Sequence, residues 1–72
     1  MTNSSRKKYA CVCCGSRTMQ EKPPGTYEIC PVCGWEDDPV QFRDPDRAGG
    51  ANEMSLNEAR AAWKKRSAVN ED

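Results

Sequence analysis

Five cysteines carry most of the chemical potential of this 72-residue chain. They stand in two groups, Cys11-Val12-Cys13-Cys14-Gly15 and Cys30-Pro31-Val32-Cys33-Gly34. Read through Cys11, Cys14, Cys30 and Cys33, they form two C-x-x-C pairs separated by fifteen residues, at the short end of the spacing found in zinc sites. A turn that aims two sulfurs at one ion must also bring backbone N–H groups round to face them. Such turns often need a positive φ, which glycine adopts without steric cost, and Gly15 and Gly34 follow the two pairs directly. Pro31 fixes φ inside the second turn and has no N–H to waste there. The expected product is a four-thiolate tetrahedral cage for one ion. Such a cage has no open coordination position, and the chain has no histidine to serve as a ligand or general base. Without a metal-bound water there is nothing to activate for hydrolysis, so no enzyme is expected. Zinc is the first choice of metal and iron the alternative, since ligand softness does not separate them.

The elements that must hold these cysteines are few. Only 36% of the residues are hydrophobic and 31% are charged, in a chain long enough for one domain. A chain of this size buries little apolar surface and needs a staple, for which the metal is the candidate. Tyr9, Ala10 and Val12 lead into the first pair and Arg17-Thr18-Met19 lead out, which predicts a short hairpin with the metal turn at its tip. Pro23-Pro24-Gly25 marks a loop. Thr26-Tyr27-Glu28-Ile29 alternates around β-branched and aromatic residues and predicts the best strand of the chain, delivering Cys30. Trp35 and Phe42 are expected to pack over the metal turns. The stretch from Arg43 to Asn52 lacks apolar periodicity and reads as a loop. Its Asp44, Asp46 and Gly49 hint at a calcium loop, but Ser55 stands where the twelfth position needs a carboxylate. Ser55-Leu56-Asn57-Glu58 is a capping box opening a helix from Ser55 to Ala68, with Leu56, Ala59 and Trp63 on one face. Lys64, Lys65 and Arg66 fall in its last turns, where cations suit the helix dipole.

The remaining polar groups admit bland and functional readings. Met1 to Lys8 predicts a disordered tail, residues 9–68 a single domain, and residues 69–72 a frayed end. Arg6, Lys7 and Lys8 in that tail read as solvated charge. Glu36, Asp37 and Asp38, beside Trp35, make an acidic turn that could face a basic partner or simply be solvated up to Pro39. Cys13 is surplus to the cage. It reads as a bystander, with an alternative ligand and a redox-active thiol, its pKa lowered by nearby Arg17, as the competing readings.

Three stretches carry a family resemblance. They are Cys11-Val12-Cys13-Cys14-Gly15, the run from Pro23 through Cys30-Pro31-Val32-Cys33 to Trp35-Glu36-Asp37-Asp38-Pro39-Val40-Gln41, and Gly49-Gly50-Ala51-Asn52 with Ser55-Leu56-Asn57-Glu58-Ala59-Arg60. Together they resemble the bacterial cysteine-rich CPCC domain family over roughly residues 9 to 63. The chain departs from the family at Val12, which replaces the proline of the name-giving motif and leaves the ligands intact. The resemblance implies a small bacterial metal-binding domain and brings no activity with it. The Cys30-Pro31-Val32-Cys33-Gly34 turn is also similar to those of rubredoxins and zinc ribbons, over a much shorter stretch.

The expected fold is therefore a small metal-stabilised α+β domain, a zinc-ribbon or rubredoxin-like antiparallel sheet with one C-terminal helix. The expected function is structural zinc binding in a monomeric protein-interaction module, with Trp35, Glu36, Asp37 and Asp38 as the contact surface. Alternatives are an iron electron carrier, a thiol redox enzyme using Cys13, and a nucleic-acid-binding ribbon using the tail and helix cations. Zero net charge, from eleven basic and eleven acidic residues, argues against nucleic acid. No apolar run reaches the length of a membrane span or a signal core, so a cytoplasmic protein is expected, where paired thiols stay reduced.

Overall fold

A computed structural model describes residues 8–70 of the chain, with side chains over 8–66. Of the expected tail only Lys8 falls within this range, and Glu71 and Asp72 also lie outside it. The element order is β1 (Tyr9–Ala10), β2 (Arg17–Met19), α1 (Pro39–Arg43) and α2 (Leu56–Asn70). β1 and β2 pair antiparallel, Tyr9 opposite Met19 and Ala10 opposite Arg17, with a register shift between the pairs. They form the expected hairpin, and the first cysteine turn is its tip.

The second cysteine turn is held differently from the expectation. Thr26 to Ile29 is not a strand, and its one ladder contact is an isolated antiparallel bridge between Ile29 and Glu36. The cause is local competition for the backbone. The Glu28 N–H donates to Thr26 Oγ1 at 3.1 Å, while the Thr26 N–H and hydroxyl donate to Asp37 Oδ2 at 2.8 and 2.9 Å. Side-chain bonds of this kind offer the backbone an alternative to a ladder. Tyr27 accordingly takes φ +59, in the left-handed region that interrupts a strand. Backbone bonds still tie the arm to the segment after the turn, from the Tyr27 N–H to the Asp37 carbonyl and the Asp37 N–H to the Glu28 carbonyl, each at 3.0 Å, and from the Cys30 N–H to the Trp35 carbonyl at 2.9 Å, without forming a regular strand.

The short helix α1 falls where a solvated turn and loop were expected. Asp38 caps it, its side chain accepting from the Val40 and Gln41 N–H groups at 2.8 and 3.3 Å, and Pro39 occupies the first turn. An Asp-Pro pair is a helix-start signal, because the carboxylate satisfies orphan N–H groups and proline has none to satisfy. α2 starts at the capping box as read: the Glu58 N–H donates to Ser55 Oγ at 3.1 Å and the Ser55 N–H to Glu58 Oε1 at 2.9 Å. The helix extends through Val69 and Asn70, which were expected to fray. Ser55→Ala is expected to cost about 1 kcal/mol. A denaturant midpoint equal to that of the wild type would contradict this.

The core is built around the cysteines. Cys11, Cys30, Met19, Trp35 and Leu56 are buried, with Val12, Cys13, Cys14, Cys33, Phe42 and Ala59 packed against them. Trp35 and Phe42 thus cover the metal turns as expected. Leu56 and Ala59 turn the helix toward this core, and the Arg60 Nε–H donates to the Val12 carbonyl at 2.9 Å, tying α2 to the first cysteine turn. No helix among the described residues is long and apolar enough to cross a membrane.

Candidate metal centre

The two cysteine turns are built by the same three kinds of bond. In the first, the Cys13 N–H donates to Cys11 Sγ at 3.4 Å, the Gly15 N–H to the Cys11 carbonyl at 2.9 Å, and the Cys11 N–H to the Ser16 carbonyl at 2.9 Å. In the second, the Val32 N–H donates to Cys30 Sγ at 3.4 Å, the Gly34 N–H to the Cys30 carbonyl at 2.8 Å, and the Cys30 N–H to the Trp35 carbonyl at 2.9 Å. Gly15 and Gly34 close the turns at φ +81 and +86. A Cβ at either would meet nothing within 4 Å, so it is the backbone angle and not crowding that calls for glycine.

The turns face one another and bring Cys11, Cys14, Cys30 and Cys33 together, all four sulfurs lying within 4.8 Å of one another. Across the turns, Cys11 Sγ lies 3.7 Å from Cys33 Sγ and Cys14 Sγ lies 3.9 Å from Cys30 Sγ. Zinc–sulfur bonds of about 2.3 Å in a tetrahedron require sulfurs about 3.8 Å apart, and these two opposite edges meet that requirement. None of the five cysteines is joined in a disulfide. The donor set and its spacing fit one tetrahedral ion.

The sulfurs are not equivalent. Cys30 is fully buried, and burial is the largest influence on it, opposing ionisation. The Thr18 hydroxyl, 3.1 Å from Cys30 Sγ, and the N–H groups of Cys33 and Val32 outweigh that burial and bring the thiol down to about 6. Burial pushes the Cys11 and Cys33 thiols up, in each case against the pull of backbone N–H groups. Metal uptake must displace the protons that these thiols hold, so affinity falls as pH falls. Thr18 was not singled out by its sequence position; its β2 strand carries it to the cage. A group that orients and stabilises a ligand in this way is worth about 10–100-fold in metal affinity. Thr18→Val should lower affinity by that order in a competition titration, and an unchanged constant would remove Thr18 from the site.

The acidic turn does not present the surface expected of it. Trp35, Asp37 and Asp38 are 3%, 1% and 6% exposed. Asp37 Oδ2 takes both Thr26 bonds. Asp38 caps α1 through Oδ1 and accepts the Ala51 N–H at 3.0 Å through Oδ2. The Ala51 N–H acts most strongly to hold the Asp38 carboxyl below its ordinary range; burial opposes it, and the Val40 and Gln41 N–H groups add to the lowering. Glu36 is half-buried, with its backbone clamped by Asn52 at both N–H and carbonyl, each at 2.8 Å. In a chain with so little apolar core, the Asp37 and Asp38 carboxylates are used to bond the backbone and are buried in doing so.

A buried amide, Gln41, completes the clamp. It is 0% exposed, and its Nε2 donates to the carbonyls of Arg47, Asn52 and Met54 at 2.9, 3.1 and 3.1 Å. Its Oε1 accepts from Asn52 N and Nδ2 at 3.1 and 2.9 Å. Gly50 permits the approach: a Cβ there would fall 2.7 Å from Asp38 Oδ2. The loop from Asp44 to Met54 is therefore fixed by side chains. Asp46 instead accepts from Asn57 Nδ2 at 2.9 Å.

Cys13 stands outside the cage and is half-buried against the core. Burial pushes its thiol up, and the cation that acts on it is Arg60. Arg17, the expected neighbour, donates instead to the Lys8 carbonyl at 3.3 Å. The helix cations Lys64, Lys65 and Arg66 are exposed, Arg66 lying 5.2 Å from the centre of the Trp63 ring.

A two-stranded antiparallel hairpin, one main helix and a four-cysteine cluster that could hold a metal define a small cysteine-centred α+β domain. The chain belongs to the family described as Cysteine-rich CPCC, whose model matches residues 9–72. No curated protein matches the chain.

Proposed function

We propose that the protein is a zinc-ribbon-like domain holding one structural zinc through Cys11, Cys14, Cys30 and Cys33, and that it serves as a protein-interaction module. The observation that carries the zinc reading is the convergence of four cysteine sulfurs within 4.8 Å, two opposite edges having the length of a zinc–thiolate tetrahedron. The chain's own residues fix the sulfurs, bury Cys11 and Cys30, and supply N–H and hydroxyl donors to their charge. A bound ion would add the cross-link between the two turns. A saturated thiolate site offers rigidity and no water to activate, which supports a binding role over catalysis.

The interaction surface moves from the acidic turn to the outer side of the second cysteine turn. Tyr27, Ile29 and Val32 are 52%, 63% and 42% exposed there, and zero net charge favours a protein over nucleic acid. The natural setting of the domain is a bacterial cytoplasm, where thiols stay reduced. Iron is the second reading, supported by the N–H donors to Cys11 and Cys30, because hydrogen bonds to sulfur equally suit an iron–thiolate electron carrier.

Native mass spectrometry with elemental analysis of untagged protein decides the metal. One zinc per chain, lost in Cys30→Ser, is the expected result. A red protein that bleaches on reduction selects iron, and metal retained by Cys30→Ser refutes the ligand set. For the surface, Ile29→Lys should keep the metal and weaken capture of the native protein partner; undiminished capture would reject it.

A further inference from the structure

The two cysteine turns meet through their sulfurs. Two sulfur pairs lie in hydrogen-bonding geometry, and both cross from one turn to the other. Cys11 Sγ is 3.7 Å from Cys33 Sγ, and Cys14 Sγ is 3.9 Å from Cys30 Sγ. Each pair joins a buried cysteine, Cys11 or Cys30, to a half-buried one, Cys33 or Cys14. Cys33 also lines an open cavity of about 310 Å³ beside Trp35, Met54 and Trp63, which gives a small oxidant a way in. A disulfide needs about 2 Å between its sulfurs, so each sulfur of a pair has only about 1 Å to move.

From this pairing we propose that the domain has a second cross-linked state, free of metal, in which the disulfides Cys11–Cys33 and Cys14–Cys30 replace the ion as the link between the turns. The inference rests on the four-cysteine metal site proposed above. The oxidant is a hydroperoxide. The Cys33 thiolate attacks one oxygen of hydrogen peroxide, the O–O bond breaks, and Cys33 sulfenic acid and hydroxide form. The Cys11 thiolate then attacks the Cys33 sulfur, the S–S bond forms, and the sulfenic oxygen leaves as a second hydroxide. The two sulfurs give up two electrons and the peroxide takes them. Cys14 and Cys30 alone remain to hold the ion, which is released. Cys14 reacts with a second peroxide in the same way, and Cys30 closes the second bridge. In all, four thiolates and two peroxides give two disulfides and four hydroxides, which protons from solvent convert to water.

Which cysteines pair decides what oxidation does to the fold. The cross-turn bridges span 22 and 16 positions and tie the hairpin tip to the second turn. Closing loops of that length restricts the unfolded chain. Bridges inside the C-x-x-C pairs would span three positions each and leave the turns unlinked. The doubly bridged chain therefore stays folded without the ion, whereas the reduced chain without the ion has neither link. Reduction by a dithiol reopens the site to metal. Cys13 is left as the free thiol in both states.

The test uses the full chain, loaded with zinc and counted by native mass spectrometry before any oxidant is added. That count alone judges the metal site: a chain that binds no zinc overturns the cage and the exchange with it. With one zinc bound, two equivalents of hydrogen peroxide are added, and release is followed with a chromogenic chelator. Trypsin separates Cys11, Cys13 and Cys14, in residues 9–17, from Cys30 and Cys33, in residues 18–43. Cross-turn bridges join these two peptides and in-turn bridges leave them apart, and fragmentation between the cysteines assigns each pair. The expected result is Cys11–Cys33 and Cys14–Cys30, loss of the one zinc, and an amide spectrum that stays dispersed. Dithiothreitol added with the chelator still present should then collapse that spectrum. Cys13→Ser should form the same bridges and release zinc at the wild-type rate. Bridges within the C-x-x-C pairs, a bridge to Cys13, zinc retained after both bridges form, or a spectrum that collapses on oxidation would each overturn the proposal. Slower release from Cys13→Ser would make Cys13 a reacting thiol and overturn it as well. Mapping in the wild type decides the pairing even where the Cys13 variant folds poorly.

Discussion

Removal of the metal is expected to unfold the whole domain. The buried apolar side chains outside the cage are Met19, Trp35 and Leu56. Each contributes about 1.5–3 kcal/mol on burial, whereas a structural zinc in a comparably small domain supplies about 10–16 kcal/mol at neutral pH. The rest of the core is the cysteine turns, which without an ion bring four thiols into a space where burial disfavours ionisation of Cys11 and Cys33. The sheet cannot substitute, because β1 and β2 contribute two and three residues. Adding a strong chelator to the loaded protein should therefore collapse the dispersion of the amide spectrum and the helical circular dichroism together. One equivalent of zinc should restore both. A metal-free protein that keeps a dispersed spectrum would show that Met19, Trp35, Leu56 and the Gln41 clamp suffice alone.

The convergence of Cys11, Cys14, Cys30 and Cys33 was legible in the sequence because its determinants are local. Two C-x-x-C spacings, the glycines after them and the Ser55–Glu58 box each act within five residues, and each stands in the structure as read. The second arm was misread for the opposite reason. Thr26 to Ile29 has strand propensity, but its fate is set by Asp37, a residue about ten positions away whose carboxylate takes the Thr26 donors. The same long-range bonding hid the acidic turn. Charged residues normally stay in water, and alternation or composition cannot tell that Asp37 and Asp38 will be withdrawn to cap Thr26, α1 and Ala51. The start of α1 was legible in Asp38-Pro39, a signal that was passed over as a turn. Thr18 and Gln41 left no trace in their own neighbourhoods, since each acts on partners that only the fold brings near.

Gln41→Glu is expected to be among the most damaging changes outside the cysteines, although it replaces one atom. In the wild type, Nε2 points donors at three carbonyls, those of Arg47, Asn52 and Met54. A carboxylate oxygen in that place has no hydrogen to offer and faces three acceptors, in a position with 0% exposure. The carbonyls lose their partner and the new charge is buried beside them, each penalty costing about 1–3 kcal/mol or more. Gln41→Ala removes the repulsion but leaves the same carbonyls, and the Asn52 N–H and amide, without their partner. Both variants should therefore be destabilised by about 3 kcal/mol or more, with glutamate the worse. In so small a protein that is a large share of total stability. The loop from Asp44 to Met54 should lose hydrogen-exchange protection first, because Gln41 bonds its backbone at Arg47, Asn52 and Met54. The metal distinguishes this failure from that of the cage. Gln41 has no hydrogen bond to a cysteine among the described residues, so chains that remain folded should still bind one zinc, whereas Cys30→Ser loses metal and fold together. Should Gln41→Glu match the wild type in its denaturation midpoint, the amide is not the clamp described. If it lowers zinc stoichiometry in chains that are still folded, the loop and the cage are coupled more tightly than their separate bonding implies.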